Sequence, residues 1–292
     1  MMICSSLLSP ILVFQASQYY GNFTKARNNI INQHSKYQDD KYLLQQNKIN
    51  ILQKMLPSDT LKRIPVAIWR NLYQGVISDD DIPCLFDEIS PEIYNKISSL
   101  QPTRKRLISK YIVQINNKIN INRIKSSSFR QKEAKLIKTD IFDYRKLNRT
   151  FAELPDELLD DHLLALIEFT AFRVKNAAPS ANKLIVTIHH TIVYSYFDCG
   201  STNSPEGIHQ DGMDYIVSAL VIERQNISGG TSIIYSSDKV TKLFECELQD
   251  GQGIFQPDAG TDLWHEVTPI HCQSPKASAY RSTIGIDITI DN

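Results

Sequence analysis

"GIHQDGMDYIVSALVIE", residues 207–223, sets His209 and Asp211 between glycines and then runs into an apolar stretch, 216–222, that reads as a buried strand. On an extended backbone, residues two apart face the same side. The imidazole and the carboxylate therefore project together. The stretch belongs to a longer texture. It begins at "KLIVTIHHTIVYSYF" (183–197) and continues through "TSIIYSS" (231–237), "LFECEL" (243–248), "IFQP" (254–257) and "YRSTIGIDITI" (280–290), with the turn signals "SGG", "DGQG" and "DAG" between them. Short β-branched runs separated by glycine turns predict an all-β unit of the sandwich, jelly-roll or barrel type.

Upstream the pattern is helical. "YLLQQNKINILQKM" (42–55) carries apolar residues at helical spacing and ends before Pro57. "SDDDIPCLFDEI" (78–89) offers Ser78 or Asp79 as a cap, and "SPEIYNKISSL" (90–100) has Ser90 as cap with Pro91 at the first helical position. "TRKRLISKYIVQINNK" (103–118) is predicted as one more, basic, helix. "LPDELLDDHLLALIEFTAFRVKNA" (154–177) is an amphipathic helix. The expected class is α+β, with a helical region over 1–125 and a β core over 126–292.

The 292 residues suffice for a full core, and a net charge of zero argues against a general polyanion binder. Residues 101–149 nevertheless hold fourteen Lys or Arg against three acids. A nucleic-acid or membrane surface is one reading of that run; solvated helix faces are the reading preferred here. The five cysteines are widely spaced and form no CxxC pair, which suits a reducing, cytoplasmic setting rather than a disulfide framework or zinc site. The apolar start, "MMICSSLLSPILVFQASQYY", lacks a basic lead-in and is broken by Pro10; it reads as a buried segment or a leader, not a signal peptide. No run reaches the ~20 apolar residues of a membrane span.

A third ligand for a metal stands at His265, in "TDLWHEVTPI" (261–270) beside Trp264. Two histidines and one carboxylate on one face of an ion match the donor set of non-haem Fe(II) oxygenases. The last strand alternates, placing Arg281, Thr283, Gly285 and Asp287 on the face opposite Ile284, Ile286 and Ile288. An arginine opening an apolar strand needs a partner. With Thr283 it suits the distal carboxylate of 2-oxoglutarate.

The ordered set His209-x-Asp211, His265, Arg281-x-Thr283 resembles the Fe(II)/2-oxoglutarate-dependent dioxygenases. "PEGIHQDGMDYIVSALVIERQNISGGTSIIY" (205–235) and "LWHEVTPI" (263–270) are similar to a bacterial subgroup that includes free amino-acid hydroxylases of the isoleucine 4-hydroxylase kind. The resemblance spans about 183–290, is fainter from "SFRQKEAKL" (128–136), and does not reach the N-terminal helices. It implies a double-stranded β-helix, a jelly-roll or cupin-like core, with Fe(II), 2-oxoglutarate and O2 as cofactors. The small-molecule substrate it implies is an amino acid. Asp211 is kept where the related halogenases give up their carboxylate, so hydroxylation is expected. Glu206, His190 and Tyr194 are candidate substrate contacts, and Asp262 a candidate partner of His265. No arginine follows Arg281, where nucleobase demethylases carry a second one, so nucleic acid is not the expected substrate. The alternatives are the same chemistry on a macromolecule, or dimerisation, through the N-terminal helices, and a non-catalytic cupin-like binding protein.

Overall fold

The computed structural model describes residues 10–86, 88–137, 142–196 and 200–292. Cys4 and Cys199 lie outside them.

The chain opens with β1 (Leu12–Gln15), α1 (Phe23–Asn32) and β2 (Gln38–Asp39), then α2 (Lys41–Met55), α3 (Ser58–Arg63), α4 (Val66–Gln74), α5 (Ile82–Leu85) and α6 (Pro91–Ser98). Strands β3 (Arg104–Ile115), β4 (Ile119–Ile124), β5 (Ser128–Phe129), β6 (Lys135–Leu136) and β7 (Arg149–Thr150) lead to α7 (Asp161–Ala177). Then come β8 (Lys183–Tyr194), β9 (His209–Gln210), β10 (Tyr215–Gln225), β11 (Ile227–Gly229), β12 (Ser232–Tyr235) and β13 (Lys242–Cys246). The chain closes with β14 (Gln252–Pro257), β15 (Trp264–Val267), β16 (Ile270–Cys272) and β17 (Tyr280–Ile290).

The strand pairs are antiparallel. The larger sheet has eight strands in the order β1-β14-β10-β17-β8-β3-β2, with β4 on β3; the smaller runs β13-β12-β15-β9-β6. The class is α+β, as expected.

Alternation decides which face does what. On β17, Ile284, Ile286 and Ile288 are buried among Leu184, Val186 and Ile188 of β8, Leu107 and Tyr111 of β3, and Leu163, Leu166, Ile167 and Val174 of α7. Each such side chain contributes about 1.5–3 kcal/mol of burial. The other face of the large sheet carries Arg106, Thr191, His189, Thr283, Gly285 and Asp287, in register across β3, β8 and β17. Ala219, Val221 and Ile254 pack with Ile234 and Leu263, joining the two sheets. The helices α2, α4 and α6 close against the β3 side through a cluster that includes Ile49, Leu72, Ile97, Ile108, Phe129 and Phe151.

Ser90 caps α6 with Pro91 inside, as the sequence predicts, while Asp40 caps α2 and Asp160 caps α7. One expectation fails. Residues 104–115 form β3, not a helix, and pair with β8 along their whole length. The sheet thus draws strands from both sides of residue 125. The apolar start is also used: β1 is an edge strand and Phe14 is only 1% exposed. No helix among the described residues is long and apolar enough to cross a membrane.

Candidate metal centre and its cavity

The smaller sheet brings the two histidines together. His209 on β9 pairs directly with His265 on β15, and their rings lie 4.3 Å apart. Asp211 follows β9 and turns back between them. Its Oδ2 is 3.3 Å from His265 Nε2 and its Oδ1 3.6 Å from His209 Nε2. One donor atom from each of the three lies within 4.8 Å of the others. Burial alone would raise Asp211, but the two imidazoles outweigh it and hold the carboxyl well below its usual range.

The turn that delivers Asp211 needs glycine. Gly212 has φ +82°, and a Cβ there would stand 2.3 Å from the Glu133 carbonyl carbon.

The ligand atoms are oriented from behind. His209 Nδ1 donates to the Gly207 carbonyl at 2.7 Å, leaving Nε2 as the free lone pair. Asp258 is buried; its Oδ2 accepts from the amides of Gly212 (2.6 Å) and Met213 (3.1 Å). Its Oδ1 lies 3.8 Å from His265 Nδ1, and neither atom has another partner among the described residues. Burial and the charge of Asp211 push Asp258 up to about 6. Gln210 points away from the cluster and ties down the loop that carries Asp258, donating to the carbonyls of Thr261 (3.0 Å) and Leu263 (2.8 Å). The carboxylate that faces His265 Nδ1 is therefore that of Asp258 and not that of Asp262. Gln131 donates to Asp211 Oδ1 at 2.6 Å and accepts from Arg149 Nη2 at 2.7 Å.

These groups open on a cavity of about 100 Å³, lined also by Arg104, Arg106, Arg145, His189, Glu206 and Thr283. Arg281 lies one step beyond Thr283 on the same face of β17 and is 3% exposed. Its Nε and Nη2 have no hydrogen-bond partner among the described residues. Burial, then the nearby Arg224, lowers it to about 10. Gly230 of the "SGG" turn makes room: a Cβ there would be 3.2 Å from Arg281 Cδ.

The weaker candidates separate. Glu206 lines the cavity, 3.6 Å from Arg145 Nη1 and 3.9 Å from His209 Nε2. His190 points to the opposite face, where Nδ1 meets the Tyr37 hydroxyl at 3.2 Å. The cavity takes His189 instead, 3.3 Å from Asp287. Tyr194 shares the His190 face and packs on Tyr280.

The sequence profile of the 2OG-Fe dioxygenases matches residues 86–287. The chain belongs to the 2OG-Fe dioxygenase family. This dioxygenase also resembles solved structures. One is described as IDO from Bacillus thuringiensis, with a TM-score of 0.56 at 12% identity over 97% of this chain and 91% of that one. Another is a bsmA homolog from Methylobium petroleophilum PM1, with a TM-score of 0.53 at 18% identity over 66% of this chain and 77% of that one. At such identities the likeness is one of fold. No match was found among curated protein sequences. The protein is an oxygenase, and its family uses Fe(II), 2-oxoglutarate and O2. The donor set fits that chemistry: two imidazole nitrogens and a carboxylate suit Fe(II), and a buried guanidinium with unpaired N–H groups suits a dicarboxylate.

Proposed function

We propose that His209, Asp211 and His265 hold Fe(II), that Arg281 and Thr283 hold the distal carboxylate of 2-oxoglutarate, and that the enzyme hydroxylates an unactivated C–H bond of a free L-amino acid or similar small polar molecule. The observation that carries this is the convergence of the three donor atoms within 4.8 Å beside the Thr283 face of β17. On this reading the two antiparallel sheets are the halves of a jelly-roll core with the metal between them.

Bound iron and 2-oxoglutarate supply the oxidation: O2 is split between succinate, formed with loss of carbon dioxide, and the substrate hydroxyl. The protein's own part is placement. Gly207 fixes the tautomer of His209. Asp258 stands behind His265, and Gln131 restrains Asp211. Burial of the two histidines limits the access of water to them. The amino-acid class is supported by the similarity of residues 205–235 and 263–270 to amino-acid hydroxylases. The cavity walls also carry both guanidinium and carboxylate groups.

A macromolecular substrate finds less support, because the basic run turns partly inward: Arg104, Arg145 and Arg149 are buried. The test is incubation of the iron-loaded protein with 2-oxoglutarate, O2 and each L-amino acid, read by mass spectrometry. A product heavier by one oxygen, absent in His209→Ala, supports the proposal. Succinate formation with no hydroxylated amino acid would overturn the substrate class.

A further inference from the structure

Three guanidinium groups gather on the β3 side of the cavity: Arg104 and Arg106 from β3, and Arg149 from β7. Arg104 and Arg106 share one carboxylate. Asp40 Oδ2 lies 2.9 Å from Arg104 Nε and 3.4 Å from Arg106 Nε. Arg104 is otherwise committed, its Nη1 donating to the Asn203 carbonyl at 2.9 Å. Arg149 is 4% exposed, gives Nη2 to Gln131, and has an unpartnered Nε. Arg106 makes no side-chain hydrogen bond among the described residues, and its Nε is buried without one. Of the other acids of the cavity, Glu206 and Asp211 lie 3.6 and 3.5 Å from Arg145, and Asp287, bonded to His189, attracts Arg106 from farther away.

Phe151 lies under both guanidinium planes, 4.9 Å from Arg106 and 5.8 Å from Arg149, and Phe129 under Arg149 at 5.1 Å. These rings fix the planes but accept no N–H bonds. A buried guanidinium with N–H groups left unpartnered is costly. Planar donors held in place match an oxoanion in shape as well as charge. The anion at Arg281 is not the one that satisfies them. β8 lies between β17 and β3, which separates the two sites by about 10 Å across the sheet.

We infer that Arg106 and Arg149 form the anion site of the substrate, which carries an oxoanion, a carboxylate or a phosphate, seated on these two guanidiniums. Its carbon skeleton then lies between that wall and the His209, Asp211 and His265 cluster. This rests on the function proposed above and narrows it to acidic or carboxylate-anchored substrates. Arg149 also holds Gln131, which holds Asp211, so the occupied anion site is wired by two hydrogen bonds to a proposed metal ligand.

The test uses the full chain under anaerobic conditions with Fe(II) and saturating 2-oxoglutarate, so that Arg281 is already occupied. The visible charge-transfer band of the chelate is recorded first, and the melting temperature is then measured with malonate or with inorganic phosphate against chloride at equal ionic strength. The expected result is a rise of about 3 °C at ten times the dissociation constant, lost in Arg106→Gln and kept in Lys105→Gln on the other face of β3. Whichever anion gives the shift names the oxoanion. Band present with no shift from either anion, or with an equal shift in Arg106→Gln, overturns the anion site while leaving the iron and 2-oxoglutarate assignment standing. Absence of the band in the wild-type protein overturns that assignment and the inference with it.

Discussion

At the residue scale the proposed metal site depends on groups outside its donor set. Asp258 Oδ1 and His265 Nδ1 face each other at 3.8 Å without other partners, the arrangement expected of a carboxylate that orients a ligating imidazole. Asp258→Asn is therefore expected to keep the fold and to weaken Fe(II) binding by about 10–100-fold, measured by metal titration; unchanged affinity would remove Asp258 from the account. Gly212→Ala tests the turn. Its φ of +82° and the 2.3 Å approach to Glu133 leave no room for a methyl group. Such strain costs at least about 1–3 kcal/mol and displaces Asp211, so the variant should lose stability in denaturant titration and metal binding together.

At the element scale the most informative piece is β3. Its sequence, "RKRLISKYIVQI", alternates as a strand does, yet its four basic residues and lack of turn signals favour a helix on pattern alone. Tertiary pairing with β8 decides the matter, and with it the role of the basic run. Arg104 and Arg106 face a cavity wall, which no count of charges could reveal. The three candidate donors that the structure brings together can be picked out because His-x-Asp and a later histidine keep a fixed order, and Arg281 can be proposed because β17 alternates cleanly. Asp258, Gln131 and Arg149 cannot be picked out in this way. Each reaches the cluster from a different loop or strand, and only the fold brings those together. Asp258 stands seven residues before His265, and only the turn between β14 and β15 brings its carboxylate to the imidazole.

Asp40 links β3 to α2, capping the helix while holding Arg104. Burial would raise its pKa, but Arg104, Arg106 and Arg149 outweigh burial and lower it. Its contribution is therefore full above the ordinary carboxylate range, near pH 4, and is lost as pH falls through its lower folded value. Asp40→Asn should cost about 3–5 kcal/mol at pH 7 by leaving the arginines unbalanced, and should flatten the acid limb of the stability curve. His190 works in the same direction. Burial lowers it to about 3, so the fold holds it neutral. Its contribution is complete above about pH 6.5 and falls as pH drops towards 3, by at most about 1.4 kcal/mol per pH unit. Urea titrations between pH 7 and 4 on His190→Asn and wild type should show the shallower slope in the variant; parallel curves would contradict it.

At the scale of the whole molecule, the helices and the sheets form one structure around the cavity. The α2, α4 and α6 cluster includes Ile108 of β3. The chain's beginning supplies the edge strand β1, whose Phe14 packs with Phe255, Leu220 and Phe169. Phe14→Ala should cost about 3–5 kcal/mol, read as a lowered denaturant midpoint, although β1 is the strand farthest in sequence from His209, Asp211 and His265. The central claim is that His209, Asp211, His265 and Arg281 together hold Fe(II) and 2-oxoglutarate. The most direct measurement is anaerobic addition of Fe(II) and then 2-oxoglutarate to the full chain, watched for the chelate's visible charge-transfer band, with Asp211→Ala and Arg281→Gln alongside. The account predicts a band in wild type, none in Asp211→Ala, and one in Arg281→Gln only at much higher 2-oxoglutarate. A folded wild-type protein with no band, or an Arg281→Gln variant that titrates like wild type, would contradict it.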